Sequence, residues 1–475
     1  MTQMILIKHL PALQVLIPFF AALFSVLAFQ RVIIARMIAT IAIIANCLLS
    51  LYGLYNMGQK GSQSYNFGDW QVPIGIEYRL DYLNQPLILY VNLVLLFVLV
   101  CCYRLINTTI LQSISKKRQS LFFTILLFAH SGYIGMLSTN DLFNLYVFIE
   151  ISSLSSYVLI AQGNNPKAIV GAFDYLILGT IGATLILLAI GFLLSVTGSL
   201  NMTDIAQRLT GQYNSKIVIT GISFFLIGAI LKTAFFPMHF WMIRAYEGCK
   251  PVILIYLTAI STIVGIYTIF RFMHFTIDYS EIADNFVSFI HPLALLTIIM
   301  CSYLAWKATK IKAIIIYSAS VQIGYVFLLL ATKTDLSLLF LLLFADGLNK
   351  MALFTILAYH EEGDTNNMAW RALVVLCLIC SSGLPLSSLF IIKLNILDLL
   401  IKQNLWVDII IILISSSISL LYYYNITKKL FLPSNNSVYF VSTSYFRRYF
   451  SLVFIMLVQI FLFISLSKIQ AFYVS

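Results

Sequence analysis

Asp141–Ala161 reads DLFNLYVFIEISSLSSYVLIA. After Asp141 come twenty residues with one charged side chain, Glu150, and four serines, Ser152, Ser153, Ser155 and Ser156. Twenty apolar residues are enough to cross the ~30 Å hydrocarbon core of a bilayer as a helix. Glu150 lies about eight residues into that span, where a short acidic side chain cannot snorkel to water. An ionisable group at such depth costs at least ~2.5 kcal/mol on insertion scales, so it has a partner or a task. The serines that follow give that part of the helix polar partners.

The same character extends over the whole chain. Of 475 residues, 61% are hydrophobic and 10% charged, against about 25% charged in soluble domains. Lipid is therefore the solvent for most of the surface. The expected fold is an all-α polytopic membrane protein of about fourteen transmembrane helices. Spans are placed near 8–29, 33–54, 82–103, 120–139, 142–162, 170–196, 215–236, 251–273, 287–306, 312–332, 335–358, 371–396, 407–427 and 449–468. Polar connections remain at 55–81, 197–216 and 359–370. The second of these holds Asp204 at a plausible start of a short interfacial helix. The third holds Glu361, Glu362 and Asp364, read as a solvated face.

A formal charge of +11 raises the question of nucleic acid, and the distribution answers it. On these spans, 17 of the 29 Lys and Arg fall in alternate loops sharing one face. They include Lys116, Lys117 and Arg118, then Lys307, Lys310 and Lys312. This is the positive-inside asymmetry. It makes that face cytoplasmic, places both termini outside, and points to a multi-pass protein of the cell (inner) membrane with no nucleic-acid partner. The first apolar run is long enough to remain as a helix, and no cleavable-signal pattern is present. Seven cysteines lie mostly in apolar segments. Cys377 and Cys380 form a lone C-x-x-C inside one, which reads as packing rather than a metal or redox site.

Two further stretches repeat the theme of a charge in an apolar, interrupted helix. Residues 232–241 read KTAFFPMHFW and residues 383–393 read GLPLSSLFIIK. Pro237 and Pro385 break helical hydrogen bonding. The freed carbonyls are tolerated at membrane depth only where they line a protected or watered cavity. Lys232, five residues before Pro237, is a candidate proton carrier, because burial brings a lysine towards protonation equilibrium near neutral pH. Lys393 lies eight residues after Pro385, near midspan or snorkelling outward. Each stretch is the fourth span of a five-span block, if the blocks are spans 4–8 and 9–13. An odd number of spans inverts the second block, as in many transporters.

Residues 341–354 read LLLFADGLNKMALF. Asp346 and Lys350 are four apart, hence on one helical face. A neutralising ion pair and a pair that opens on protonation are both consistent with that spacing. His239 follows Pro237 and is placed to line the break. Asp174 lies near the start of its span, and His130, in FFTILLFAHSGY, reads as a core or interface histidine. Charges spread over separate helices suit proton hopping through side chains and water. They supply no clustered metal ligands, nucleophile–base motif, phosphate loop or haem or iron–sulfur pattern, so no cofactor or metal is expected.

These residues carry a resemblance. Asp141–Ile160 closely resembles the fifth-helix motif of the D-type membrane component of Mrp-type cation/proton antiporters. That family also contains the antiporter-like subunits of respiratory complex I and of membrane hydrogenases. TGSLNMTDIA from Thr197, LKTAFFPMHFW from Leu231, VGIYTIFR from Val264, IIYSASVQIGY from Ile315, and GLP with FIIK from Gly383 resemble it too. The resemblance implies two inverted five-helix repeats, with helices 7 and 12 broken. The implied organisation is N-terminal helices 1–3 (1–115), a first repeat (116–275), a second repeat (285–430) and a C-terminal helix (431–475). It implies that Glu150 is the essential acid, and that Lys232, Lys350 and Lys393 are the lysines of helices 7, 11 and 12.

The resemblance also implies a function: a proton-translocating subunit of a multisubunit Na+ (cation)/H+ antiporter within a hetero-oligomeric membrane complex. The alternatives are a redox-linked subunit of complex I or a hydrogenase, and a non-conducting scaffold. Departures from the family pattern mark the centre of the path. Ile263 stands where an eighth-helix lysine is usual, Asp346 replaces a histidine, and Asp174 a lysine. Met242-Ile243-Arg244 replaces Leu-Pro-Asp, and Leu386 a second proline.

Overall fold

The computed structural model describes residues 2–162, 165–213, 215–277, 281–332, 336–361, 368–385, 387–431, 450–460 and 462. Leu386, Glu362 and Asp364 lie outside these residues, as does most of the segment expected to form the last span. The chain is almost entirely helical. In order come α1 (Thr2–Leu27), α2 (Val32–Lys60), the strands β1 (Gln63–Asn66) and β2 (Glu77–Leu80), then α3 (Asn84–Val100), α4 (Tyr103–Leu105) and α5 (Gln119–Ser138). They are followed by α6 (Leu142–Ala161), α7 (Pro166–Thr197), α8 (Met202–Leu209), α9 (Lys216–Lys232), α10 (Phe240–Gly248) and α11 (Pro251–Phe275). The remainder are α12 (Glu281–Lys307), α13 (Ile311–Ala331), α14 (Leu336–Glu361), α15 (Met368–Ser382), α16 (Ser388–Lys402) and α17 (Trp406–Phe431). A further apolar helix covers Phe450–Ile460.

Among the described residues ten helices are long and apolar enough to cross a membrane, or eleven if Asn84–Val100 and Tyr103–Ser113 count as one bent span. The other expected spans fall on shorter pieces. The seventh is α9, which ends at Lys232 and resumes as α10, and the twelfth is divided between α15 and α16. The count of fourteen thus depends on how broken helices are reckoned. Pro237 and Pro385 lie in the two breaks, where a missing N–H costs a helix nothing.

Local chemistry fixes the ends. Asp141 caps α6 by accepting from the Asn144 amide at 2.7 Å. Asn165 caps α7, with Pro166 in its first turn, and α7 ends on left-handed Gly198. The helix expected to start at Asp204 begins earlier. Asn201 is its cap, accepting from the Thr203 and Asp204 amides at 3.1 and 3.2 Å. Asp204 lies in the first turn and pairs with Arg208 at 3.0 Å.

The chain divides into two compact units. The first comprises Met1–Val100, Ile110–Thr233 and Ile260–Phe286; the second comprises Cys101–Thr109, Ala234–Ala259 and Val287–Ser475. In the first, α5 is enclosed and packs on α6 at Gly132, where any Cβ would meet the Ser152 amide nitrogen at 2.7 Å. Helices α7 and α9 touch through backbone, since a Cβ on Gly228 would lie 2.5 Å from the Gly182 carbonyl oxygen. In the second unit α13 and α14 are buried along nearly their whole length. By contrast α2, α7 and α17 turn residues such as Ile41, Leu48, Phe173, Leu413 and Tyr424 outward. Apolar faces of that extent belong against lipid.

One end of the first unit is closed by the β1–β2 hairpin, paired antiparallel with Asn66 opposite Glu77. Glu77 Oε2 accepts from Asn140 Nδ2 at 2.8 Å and from Asn201 Nδ2 at 2.7 Å. Arg271, at the end of α11, donates to the Asp81 carboxylate. Its guanidinium also lies 4.0 Å from the Phe275 ring centroid. Charge pairing and hydrogen bonds thus join the ends of α3, α6, α8 and α11.

Candidate functional site

In the first unit, Glu150 lies two turns into α6 and Lys232 is the last residue of α9. The Lys232 ammonium donates to Ser153 Oγ at 2.9 Å. Ser153 is three residues beyond Glu150, one helical turn on the same face. Glu150 thus lies on the side of α6 that carries the Lys232 contact. Its Oε1 is buried and meets no hydrogen-bond donor among the described residues. A buried carboxylate oxygen with a vacant lone pair can accept a proton or a water. Around the pair, Tyr133 and Ser156 hydroxyls lie 3.1 Å apart, and Ser156 donates to the Ser152 carbonyl at 2.7 Å. Hydroxyls both donate and accept, so this face can pass a proton without bearing lasting charge.

Immediately after Lys232 the helix stops. Ala234 has φ 58, a left-handed conformation that a non-glycine residue adopts at a cost. Residues 233–239 form the break, with α10 beginning at Phe240. His239 is fully buried; it stacks on Phe236 and meets Phe240 at a tilt, with centroids 5.1 and 4.3 Å apart. It belongs to the break, as its position after Pro237 suggests.

In the second unit, Asp346 and Lys350 are buried on α14 and form an ion pair of 3.5 Å. Lys350 also donates to Ser318 Oγ on α13 at 2.6 Å. The ammonium therefore has a neutral partner as well as a charged one. Lys393 is buried on α16, its Nζ 5.7 Å from the Tyr325 ring centroid. Gly383, in the α15–α16 break with φ +75, leaves room for it, since a Cβ there would lie 3.1 Å from Nζ. Ser387, two residues after Pro385, caps α16 by accepting from the Phe390 amide at 3.2 Å. The structure thus groups Glu150 with Lys232 in one unit, and Asp346, Lys350 and Lys393 in the other.

The departures are placed as follows. Ile263 is buried on α11, as are Ile260, Val264 and Tyr267 on the same helix. Asp174 is partly buried on α7. Met242 and Arg244 lie on α10, and Met242 is buried. Cys377 and Cys380 share α15. Among the described residues no group of three or more His, Cys, Asp or Glu could hold a metal ion.

Three features escape sequence reasoning. The Arg271–Asp81 pair joins residues 190 apart, and only an arginine at the end of VGIYTIFR hinted at it. A second pair, His291 Nε2 and Asp408 Oδ2 at 2.7 Å, links α12 and α17. Several neutral amides, Gln14, Asn46, Gln85 and Asn92, are fully buried in the first three helices. Uncharged, they give no signal in a search for buried charge.

Residues 139–419 match the family described as NADH:quinone oxidoreductase/Mrp antiporter, TM. The N subunit of an NADH-quinone oxidoreductase from Desulforudis audaxviator is 34% identical over 336 residues, which are 70% of this chain and 65% of the relative. The D-type component of a Na(+)/H(+) antiporter from Alkalihalophilus pseudofirmus is 28% identical over 332 residues, again 70% and 65% of the two chains. The match thus spans about two thirds of these relatives' length. The fold agrees with a chain of an archaeal membrane-bound sulfane sulfur reductase, with TM-score 0.86 at 21% identity, covering 99% of this chain and 96% of that one. It agrees equally with a chain of the Mrp complex of Dietzia sp. DQ12-45-1b, with TM-score 0.86 at 16% identity over 98% and 96%. The chain is a multi-pass membrane protein that belongs to the NADH:quinone oxidoreductase/Mrp antiporter family.

Proposed function

We propose that the chain is a proton-translocating subunit of a multisubunit cation/proton antiporter of Mrp type. It would be a transporter component rather than an enzyme in itself, working beside partner subunits in the cell membrane. The observation that carries this reading is the Lys232 ammonium, held 2.9 Å from Ser153 at the mouth of a helix break, with Glu150 one turn away. A proton that reaches this site is stabilised on the lysine by the Glu150 charge. Loss of that charge, by protonation of Glu150, releases it.

The second unit offers the same elements: a lysine beside a break at Lys393, and a lysine with both a carboxylate and a hydroxyl partner at Lys350. Protonation of Asp346 would free Lys350 from its ion pair and leave it on Ser318. The recurrence of a broken helix with a lysine supports two inverted five-helix repeats, with 1–115 and 431–475 outside them. Ile263 supplies no proton carrier, so transfer past it would use water. The basic loops argue for a cytoplasmic face at 116–118, 244–250 and 307–312, with both termini on the opposite side.

In inverted vesicles containing the assembled complex, Glu150→Ala and Lys232→Ala should each abolish pH-driven Na+ transport. Retained transport at normal assembly overturns the assignment. A second reading, the antiporter-like subunit of an NADH–quinone oxidoreductase, is favoured by the 34% identity to an N subunit of such a complex. It calls for copurification with flavin and iron–sulfur proteins and for proton movement that stops when electron flow stops.

A further inference from the structure

Helices α1, α2, α3 and α5 bury a cluster of neutral polar side chains: Gln14, Asn46, Ser50, Gln85, Asn92 and His130, each without exposed surface. None belongs to the Glu150–Lys232 group. The hydrogen bonds fix which way the Asn46, Gln85 and Asn92 amides point. Asn46 Nδ2 donates to the Gln14 backbone carbonyl at 3.0 Å, and Gln85 Nε2 donates to the Ser50 carbonyl at 2.9 Å. A carbonyl can only accept, so these atoms are the NH2 groups and the amides cannot be flipped. Asn46 also donates to Asn92 Oδ1 at 3.2 Å, His130 Nε2 lies 2.8 Å from the same oxygen, and Asn92 Nδ2 donates to Ser50 Oγ at 2.9 Å.

That accounting leaves an excess of acceptors. Asn46 Oδ1 and Gln85 Oε1 are buried without a hydrogen-bond partner among the described residues, and so are both polar atoms of the Gln14 side chain. Unpaired amide oxygens in a membrane interior are strongly unfavourable, so the cluster calls for something that supplies positive charge or protons. None of the six side chains is acidic. Divalent cations favour carboxylates, whereas neutral carbonyl oxygens replace the hydration shell of a monovalent ion. Gly53 lets the Gln85 amide lie against α2, since any Cβ there would lie 2.2 Å from Gln85 Nε2.

We propose that Asn46 and Gln85 present amide oxygens to a monovalent alkali cation, Na+ in the first instance, at a site in the first three helices apart from the proton-carrying residues. The choice of Na+ rests on the antiport reading; the site itself rests on the fixed amide orientations. The test is equilibrium binding of radioactive Na+ to the purified complex, with choline balancing ionic strength and K+ as competitor, alongside the thermal midpoint in Na+ and in choline. The expected result is saturable binding near one equivalent and a higher midpoint in Na+. Asn46→Leu and Gln85→Leu should each weaken binding at least tenfold and make the midpoint insensitive to Na+, while each lowers stability in both salts alike, because each also leaves a buried carbonyl without its donor.

The wild-type measurement decides the matter even where a variant fails to assemble: no saturable binding and equal midpoints in the two salts would mean the cluster holds only water. Binding that persists in both leucine variants overturns the proposal as well. Glu150→Ala separates the two readings, since it should stop transport and leave Na+ binding intact. If it leaves transport running, the antiport reading fails while the site still stands or falls on binding.

Discussion

Removing Arg271 should loosen one end of the first unit by an amount its contacts define. The guanidinium and the Asp81 carboxylate are both nearly excluded from solvent, at 2% and 11% side-chain exposure. Removing one partner of a buried pair costs about 3–5 kcal/mol, because the other charge is left uncompensated. Here the lower figure applies, since Asp81 Oδ1 keeps the Leu83 and Asn84 amides, each at 3.1 Å. The Arg271 contact with Asn140, at 3.5 Å, adds little. Arg271→Ala should therefore destabilise by about 3 kcal/mol, roughly two powers of ten in the unfolding equilibrium. Asp81→Asn should cost a similar amount, and the double variant much less than the sum, giving a coupling of about 2 kcal/mol. The assay is denaturant unfolding of the detergent-purified protein, followed by tryptophan fluorescence, for all four members of the cycle. Strictly additive losses, or single losses below about 1 kcal/mol, would show that the pair is solvated and does not clamp the helix ends.

Other consequences follow from single positions. Gly383→Ala forces a Cβ into a residue at φ +75 and to within 3.1 Å of Lys393 Nζ; the left-handed conformation alone costs about 1–2 kcal/mol, and transport should fall with little loss of assembled complex, as measured by vesicle flux normalised to protein. Ile263→Lys should leave transport unchanged or raised, although stability falls by about 2.5 kcal/mol for a buried charge; severe loss of flux in a normally assembled complex would mean that the existing path excludes a central cation. Tyr78, on β2 outside the spans, is pushed by burial up to about 12 from an ordinary 10. The folded state thus holds its proton where the unfolded state has lost it. This contribution to stability is complete below pH 10 and is lost between pH 10 and 12. Tyr78→Phe should flatten that part of the alkaline unfolding profile, and absorbance at the tyrosinate band should rise later for the wild type.

Much of the fold was legible because lipid imposes one simple rule, that backbone polar groups pair within their own segment. Apolar runs therefore reported helices directly, and Pro237 and Pro385 reported the breaks. Glu150, Lys232, Lys350 and Lys393 stood out because charge is rare in such runs. Their partners did not. Ser153 and Ser318 are common residues in a helix, and only packing shows that one receives Lys232 and the other Lys350. Asp204 drew attention as a helix start because it is charged, yet Asn201 makes the cap, since its side-chain oxygen lies in reach of two amides. The β1–β2 hairpin lay within a connection read as polar loop, because four-residue strands carry too little alternation to be seen. Arg271 and Asp81 needed the tertiary structure, being joined across 190 residues.

That separation also has a meaning in time. A ribosome adding about 5–20 residues per second takes on the order of 10–40 s to advance from Asp81 to Arg271. Through that interval the hairpin is already made while the arginine that anchors it does not yet exist. Nascent chains halted before α11 would hold Asp81 without the charge that neutralises it in the finished fold. Arrival of Arg271 would supply that charge, so this pair closes only after α11 has been made, whatever the rest of the first unit has done by then.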